Sequence, residues 1–136
     1  MSTPLGSSQW MYSSGEEVTQ QSLKFNDDES QYLSWTPASA GNRKTWTWSG
    51  WVKRGNIGAL QGLFASRSAL NDAGYMYTAF NGSDTFQFSI YSTTLATTSQ
   101  VFRDPSAWYH LVISFDATAA AAADRLKIYV NGLEAA

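Results

Sequence analysis

From residue 22 onward, apolar and polar side chains alternate in short runs separated by turn residues, the period of antiparallel strands rather than of helices. The runs predict about nine strands. Leu23 and Phe25 alternate with Ser22 and Lys24, and this run ends in the polar turn Asn26-Asp27-Asp28-Glu29. A second run, Gln31 to Trp35, stops at Thr36-Pro37, where the fixed proline φ and missing N–H end ladder pairing. The two runs are expected to pair as a hairpin. Residues 44–54, KTWTWSGWVKR, place Trp46, Trp48, Gly50 and Val52 on one face and Thr47, Ser49, Trp51 and Lys53 on the other. The first face is almost wholly apolar and is expected to enter the core of a central strand. Trp51, on the opposite face, needs a separate explanation.

The pattern continues with shorter strands from Gly62 to Arg67 and from Tyr75 to Phe80, around the loop Ser68-Ala69-Leu70-Asn71-Asp72-Ala73-Gly74. Asn81-Gly82 marks a tight turn. Phe86, Phe88 and Ile90 alternate with Gln87, Ser89 and Tyr91, and a weaker strand is expected over about Thr97 to Arg103. In WYHLVISFD, residues 108–116, both faces carry apolar groups, as in a strand within a packed sandwich. Leu126, Ile128 and Val130 are expected to point inward, before an Asn131-Gly132 turn. The alanine tract Ala117 to Ala123 is too short for an independent helix and reads as a strand connector holding at most one helical turn.

Before residue 22 the composition changes. Residues 1–21 are dominated by Ser, Gly, Thr and Gln, with one apolar cluster at Trp10, Met11 and Tyr12. Such a segment buries too little apolar surface to offset its ordering entropy alone. It reads as an extended arm anchored by these three residues on a partner surface; the alternative is a tail folded back on its own domain. The expected organisation is thus an arm over 1–21 and a single β domain over 22–136.

Composition narrows the chemistry. Net charge is −2 with only 15% charged residues, which leaves no basic patch for nucleic acid. No apolar run approaches the roughly 20 residues that span a bilayer as a helix. With no Cys there is no disulfide framework, thiolate metal site or cysteine nucleophile. Aromatic residues, by contrast, make up 15% of the chain, with six Trp, seven Tyr and seven Phe against one His. Exposed aromatic faces stack on the apolar side of a pyranose while nearby amides and carboxylates read its hydroxyls. Trp35, Trp51, Tyr75, Tyr77, Tyr91 and Trp108 are the candidate rings, with Asn71, Asp72, Asn81 and Asp84 in neighbouring turns. The competing reading for each ring is packing under a loop.

The succession SLKFNDDESQYLSW, WTWSGWVKR, AWYHLVISFD and DRLKIYVNG resembles the laminin-G-like, concanavalin A-like lectin/glucanase superfamily over about residues 22–132. The last two segments are the more specific, an aromatic W-x-H strand leading to an l-x-Y-V-N-G strand and turn. The wording of SLKFNDDESQYLS, AGNRKTWTWSGWVKRG and DRLKIYVNG, with the arm PLGSSQWMY, is similar to structural or fibre-type proteins of marine bacteriophages. The resemblance implies an all-β jelly-roll sandwich of two antiparallel sheets. It also implies a sandwich incomplete at the C-terminus, because family members continue with further strands after the V-N-G turn.

Functional expectations follow. Glucanases of this superfamily carry E-x-D-x-x-E on one strand face, and no such spacing occurs here, so an enzyme is not expected. The lone His110 has no evident Ser and Asp partners and reads as a packed or hydrogen-bonded residue. Asn26, Asp27, Asp28 and Glu29 offer hard oxygens, and calcium is the one cation that the resemblance admits, although such a run reads equally as a solvated turn. No other cofactor is expected. The resemblance implies a non-enzymatic virion protein of a tail, fibre or capsid surface, docked through its arm on other virion proteins and homo-oligomeric, trimeric if a fibre. The alternative is a carbohydrate-binding adhesin module for host surface glycans. Neither reading involves nucleic acid or membrane insertion.

Overall fold

The structure, a computed structural model, describes residues 25–67 and 74–136. By its internal contacts the chain divides into two compact units, Met1–Ser39 and Ala40–Ala136. In the first, Asp27–Glu29 form a 3-10 turn closed by the Glu29 N–H on the Asn26 carbonyl at 3.3 Å, and Ser30 follows at φ 50°. Among the described residues the expected hairpin is not formed: Phe25 and residues 31–37 have no strand geometry, and Ser22, Leu23 and Lys24 lie outside the described residues. Two causes are visible. The Gln31 side chain takes the Asn26 N–H at 2.8 Å, a donor that a ladder would use, and Tyr32 and Leu33 are adjacent rather than alternating.

Among its described residues the second unit holds eight strands. In chain order they are β1 (Thr45–Lys53), β2 (Gln61–Ser66), β3 (Met76–Phe80), β4 (Thr85–Ile90), β5 (Thr93–Val101), β6 (Trp108–Asp116), β7 (Leu126–Val130) and β8 (Leu133–Glu134). They form two four-stranded sheets, ordered β1-β6-β7-β8 and β2-β3-β4-β5, with every paired neighbour antiparallel. The architecture is the all-β sandwich expected from the sequence. Strand β1 is a correction: among the described residues it pairs only with β6 and lies at an edge. The apolar first face is met by an edge strand as well as by a central one, and Trp51 on the opposite face stands in solvent.

The inward faces follow the alternation. Trp46, Trp48 and Val52 from β1, Tyr109, Leu111, Ile113 and Phe115 from β6, and Leu126, Ile128 and Val130 from β7 make one wall of the core. Met76, Phe80, Phe86, Phe88 and Ile90 make the other. Gly50 continues the β1 face because the Trp48 indole lies where its side chain would be; a Cβ there would meet Cη2 of that ring at 2.9 Å. Phe102, fully buried just past β5, closes one end with its ring edge-on to Tyr109 at 4.9 Å.

Turns set the registers. Asn131 and Gly132 have φ 51° and 85°, the left-handed pair that a two-residue hairpin between β7 and β8 requires. The Asn131 side chain also accepts the His110 N–H at 2.9 Å, and its own N–H donates to the His110 carbonyl at 2.8 Å, which fixes this hairpin against β6. Asn81-Gly82 opens a longer loop than expected, residues 81–84, in which Asn81 Oδ1 accepts the N–H groups of Ser83 and Thr85. The last strand of the second sheet starts at Thr93 rather than at residue 97, because Tyr91, at φ 52°, turns the chain immediately after β4. The alanine tract contributes only a 3-10 turn, Ala122–Asp124.

Candidate functional site

Two groups of aromatic rings stand on the outer faces, one on each sheet. On the β2-β3-β4-β5 sheet, Tyr75 and Tyr77 stack with centroids 5.3 Å apart and planes at 22°. They sit one strand step apart, so their side chains share a face. Tyr91 joins them because its N–H donates to the Tyr75 carbonyl at 2.6 Å, which fixes the β4–β5 turn beside β3. The three tyrosines border an open groove of about 540 Å³ floored by Gly62, Ala65 and Ala79. Small residues at the floor are what leave room for it.

The Tyr77 hydroxyl is tied to a polar chain on β4 and the β3–β4 loop. Gln87 Nε2 donates to the Tyr77 hydroxyl at 3.3 Å and to Ser89 Oγ at 3.2 Å, while Gln87 Oε1 accepts from Asn81 Nδ2 at 3.0 Å. The Arg67 guanidinium lies 5.8 Å from the Tyr75 ring centre. The result is a stacking surface in which the hydroxyl of Tyr77 is held by a hydrogen-bond chain behind it. Gln87 and Ser89 were not among the sequence candidates. Their signal was present, since both lie opposite Phe86 and Phe88 in the β4 alternation.

On the other sheet, Trp51 of β1 pairs in register with His110 of β6, and Lys53 with Trp108. Both indoles are exposed, Trp51 at 66% and Trp108 at 59%. The His110 ring packs 5.1 Å from Trp51, with Nε2 at 3.0 Å from Ser49 Oγ, so the expected hydrogen-bonded histidine is found with a partner that the sequence did not indicate.

The remaining candidates separate. Trp35 is exposed in the irregular chain of the first unit. Asn71 and Asp72, like Trp10, Met11 and Tyr12, lie outside the described residues. Asp84 is buried and reads no ligand: Gly58 N–H, Arg54 and Arg103 donate to it at 2.7, 3.2 and 3.0 Å. The Gly58 N–H above all, then the two guanidinium groups, hold its carboxyl below the ordinary value despite burial. Asp104 and Asp116 are also held low, chiefly by the hydroxyls of Ser106 and Thr118. Lys127 is raised by its hydrogen bond to Asp124 and by Glu134. Near the first 3-10 turn, Glu29 accepts from Gln31 Nε2 at 2.8 Å. Among the described residues no three His, Cys, Asp or Glu converge as a metal site, and no helix is long and apolar enough to cross a membrane.

Comparison with known proteins gives one match. A laminin G family model, described as concanavalin A-like lectin/glucanases superfamily, matches residues 27–136. Neither the curated proteins nor the solved structures include a match to this chain.

Proposed function

The chain belongs to the concanavalin A-like lectin/glucanases superfamily, and we propose that its sandwich is a non-catalytic carbohydrate-recognition module, bound through the Tyr75–Tyr77–Tyr91 groove. The observation that carries this reading is the stacked tyrosine pair beside the Asn81–Gln87–Ser89 hydrogen-bond chain. Rings supply faces for the C–H side of a pyranose, and the hydrogen-bond chain orients the Tyr77 hydroxyl as a directional partner for a sugar hydroxyl. Absence of turnover is supported by the sequence, which has no E-x-D-x-x-E carboxylate spacing.

The test is a neutral-glycan array followed by titration of the best ligand into the full chain. Tyr77→Ala is expected to weaken binding about tenfold or more, a loss near 1.4 kcal/mol, while leaving the melting temperature close to that of the parent. Array binding that is indifferent to Tyr77→Ala refutes the groove as the site.

The setting that we propose is a virion surface, with host glycans as ligands. It is supported by the likeness of SLKFNDDESQYLS, AGNRKTWTWSGWVKRG and DRLKIYVNG to phage fibre-type proteins. In that setting Trp10, Met11 and Tyr12 anchor the chain on other virion proteins. Deleting residues 1–21 is expected to remove the protein from particles while the strand signal in circular dichroism is kept. Normal incorporation of the truncated chain removes the arm from the proposal.

A further inference from the structure

We infer a second carbohydrate surface on the opposite sheet, built from Trp51, Trp108, Lys53, His110 and Ser49 on strands β1 and β6, and selective for pyranoses that carry a carboxylate. It shares no residue with the tyrosine groove, so either site stands or falls without the other.

Three observations support it. First, the two indoles stay in solvent although both sit on regular, paired strands. Trp51 and Trp108 are diagonal across the β1–β6 ladder, a spacing that lets large side chains share one platform. An exposed aromatic patch rimmed by polar groups is the composition of an interaction surface rather than of an idle one.

Second, the polar groups of the strip are held in place. The His110 ring is positioned by Ser49 Oγ and by Trp51, and its backbone by Asn131 on both sides. Its Nδ1 has no partner among the described residues, which leaves it for a ligand hydroxyl. Because these groups sit on neighbouring strands and not on a loop, binding costs little ordering entropy.

Third, the charge on the strip has one sign at the rings. Lys53 Nζ lies 5.9 Å from the Trp108 ring centre and forms no ion pair among the described residues. The acid within its electrostatic reach, Asp104, is turned into its own loop, accepting the Ser106 N–H at 2.8 Å and hydroxyl at 2.6 Å. A cation beside an indole suits a ligand with an apolar ring face and one negative substituent, which is the chemistry of a uronic acid. A polyanion such as nucleic acid needs several cations along its backbone, and here there is one.

The test is calorimetric titration of the full chain with a galacturonic acid oligomer and with a neutral galactose oligomer of equal length. The acidic oligomer is expected to bind more tightly, and more weakly at raised salt. Trp51→Ala and Lys53→Met are each expected to weaken it about tenfold. Trp51→Phe is expected to restore most of the loss, and Tyr77→Ala to leave this affinity unchanged. Matched melting temperatures establish that the variants are folded. No binding of the acidic oligomer, equal affinity for the neutral one, or an affinity insensitive to Trp51→Ala each overturns the inference.

Discussion

Arg54→Met is expected to lower the unfolding free energy by about 3–5 kcal/mol at neutral pH, the usual cost of removing one partner of a buried ion pair. Methionine keeps most of the apolar stem, so the loss reports the guanidinium group. That group is fully buried just past β1, with its planar face 4.4 Å from the Phe80 ring centre. Its donors reach four acceptors: Gln61 Oε1 at 2.9 Å, the Phe102 carbonyl at 3.1 Å, the Asn56 carbonyl at 2.6 Å and Asp84 Oδ1 at 3.2 Å. It thereby ties the end of β1 in one sheet to the start of β2, the β3–β4 loop and the end of β5 in the other. Without it, the Phe102 carbonyl loses its side-chain donor inside the fold, and Asp84 keeps only Gly58 and the exposed Arg103.

The pH dependence has a definite sign. Asp84 has a lower pKa folded than unfolded, so the folded state binds fewer protons on the acid side. Its contribution is complete above the unfolded pKa and is lost as pH falls through that value towards the folded one. Asp84→Asn is therefore expected to make the acid limb of a stability profile shallower without flattening it, because Asp104 and Asp116 remain depressed. Urea unfolding from neutral to acid pH reads both variants. A loss below about 1 kcal/mol for Arg54→Met, the scale of an exposed pair, refutes the tie between sheets.

That tie was not readable in the sequence, and the reason is physical. Alternation reports which face of a strand is buried, so the inward sets of β1, β4, β6 and β7 were legible, as was the Asn131-Gly132 turn. It carries no information about which strands become neighbours. Arg54 and Asp84 are 30 residues apart and Ser49 and His110 are 61 apart, and each pair meets only through sheet topology or register. The same blindness placed β1 at a sheet centre. Nor does alternation say which of the six candidate rings share a face: Tyr75, Tyr77 and Tyr91 gather on one sheet, Trp51 and Trp108 on the other, and Trp35 lies in irregular chain. Over residues 31–35 the apolar content was misread as alternation, and the Gln31 side chain supplied a local bond that a strand would have needed to displace.

The distinction between rings that hold the fold and rings that face ligands can be measured directly. Phe88→Ala is expected to cost about 3–5 kcal/mol, against about 0.5 kcal/mol or less for Trp51→Ala. Phe88 is 1% exposed in the middle of β4. It meets two rings from the other sheet, Trp46 at 6.2 Å and 27° and Phe115 at 6.0 Å and 14°, and those two rings stack on each other at 5.3 Å. The three together join the sheets beside an opening of about 390 Å³ that Phe88 itself lines. Removing the ring enlarges that opening instead of creating a closed void. The surrounding strands are held by their ladders and cannot collapse into the space, so the apolar faces of Trp46 and Phe115 become wet. For a domain whose whole stability is about 5–15 kcal/mol, a loss of that size separates folded from marginal protein. Urea unfolding of the two variants beside the parent decides it: comparable midpoints for Phe88→Ala and Trp51→Ala would mean that the sheets do not depend on this three-ring contact.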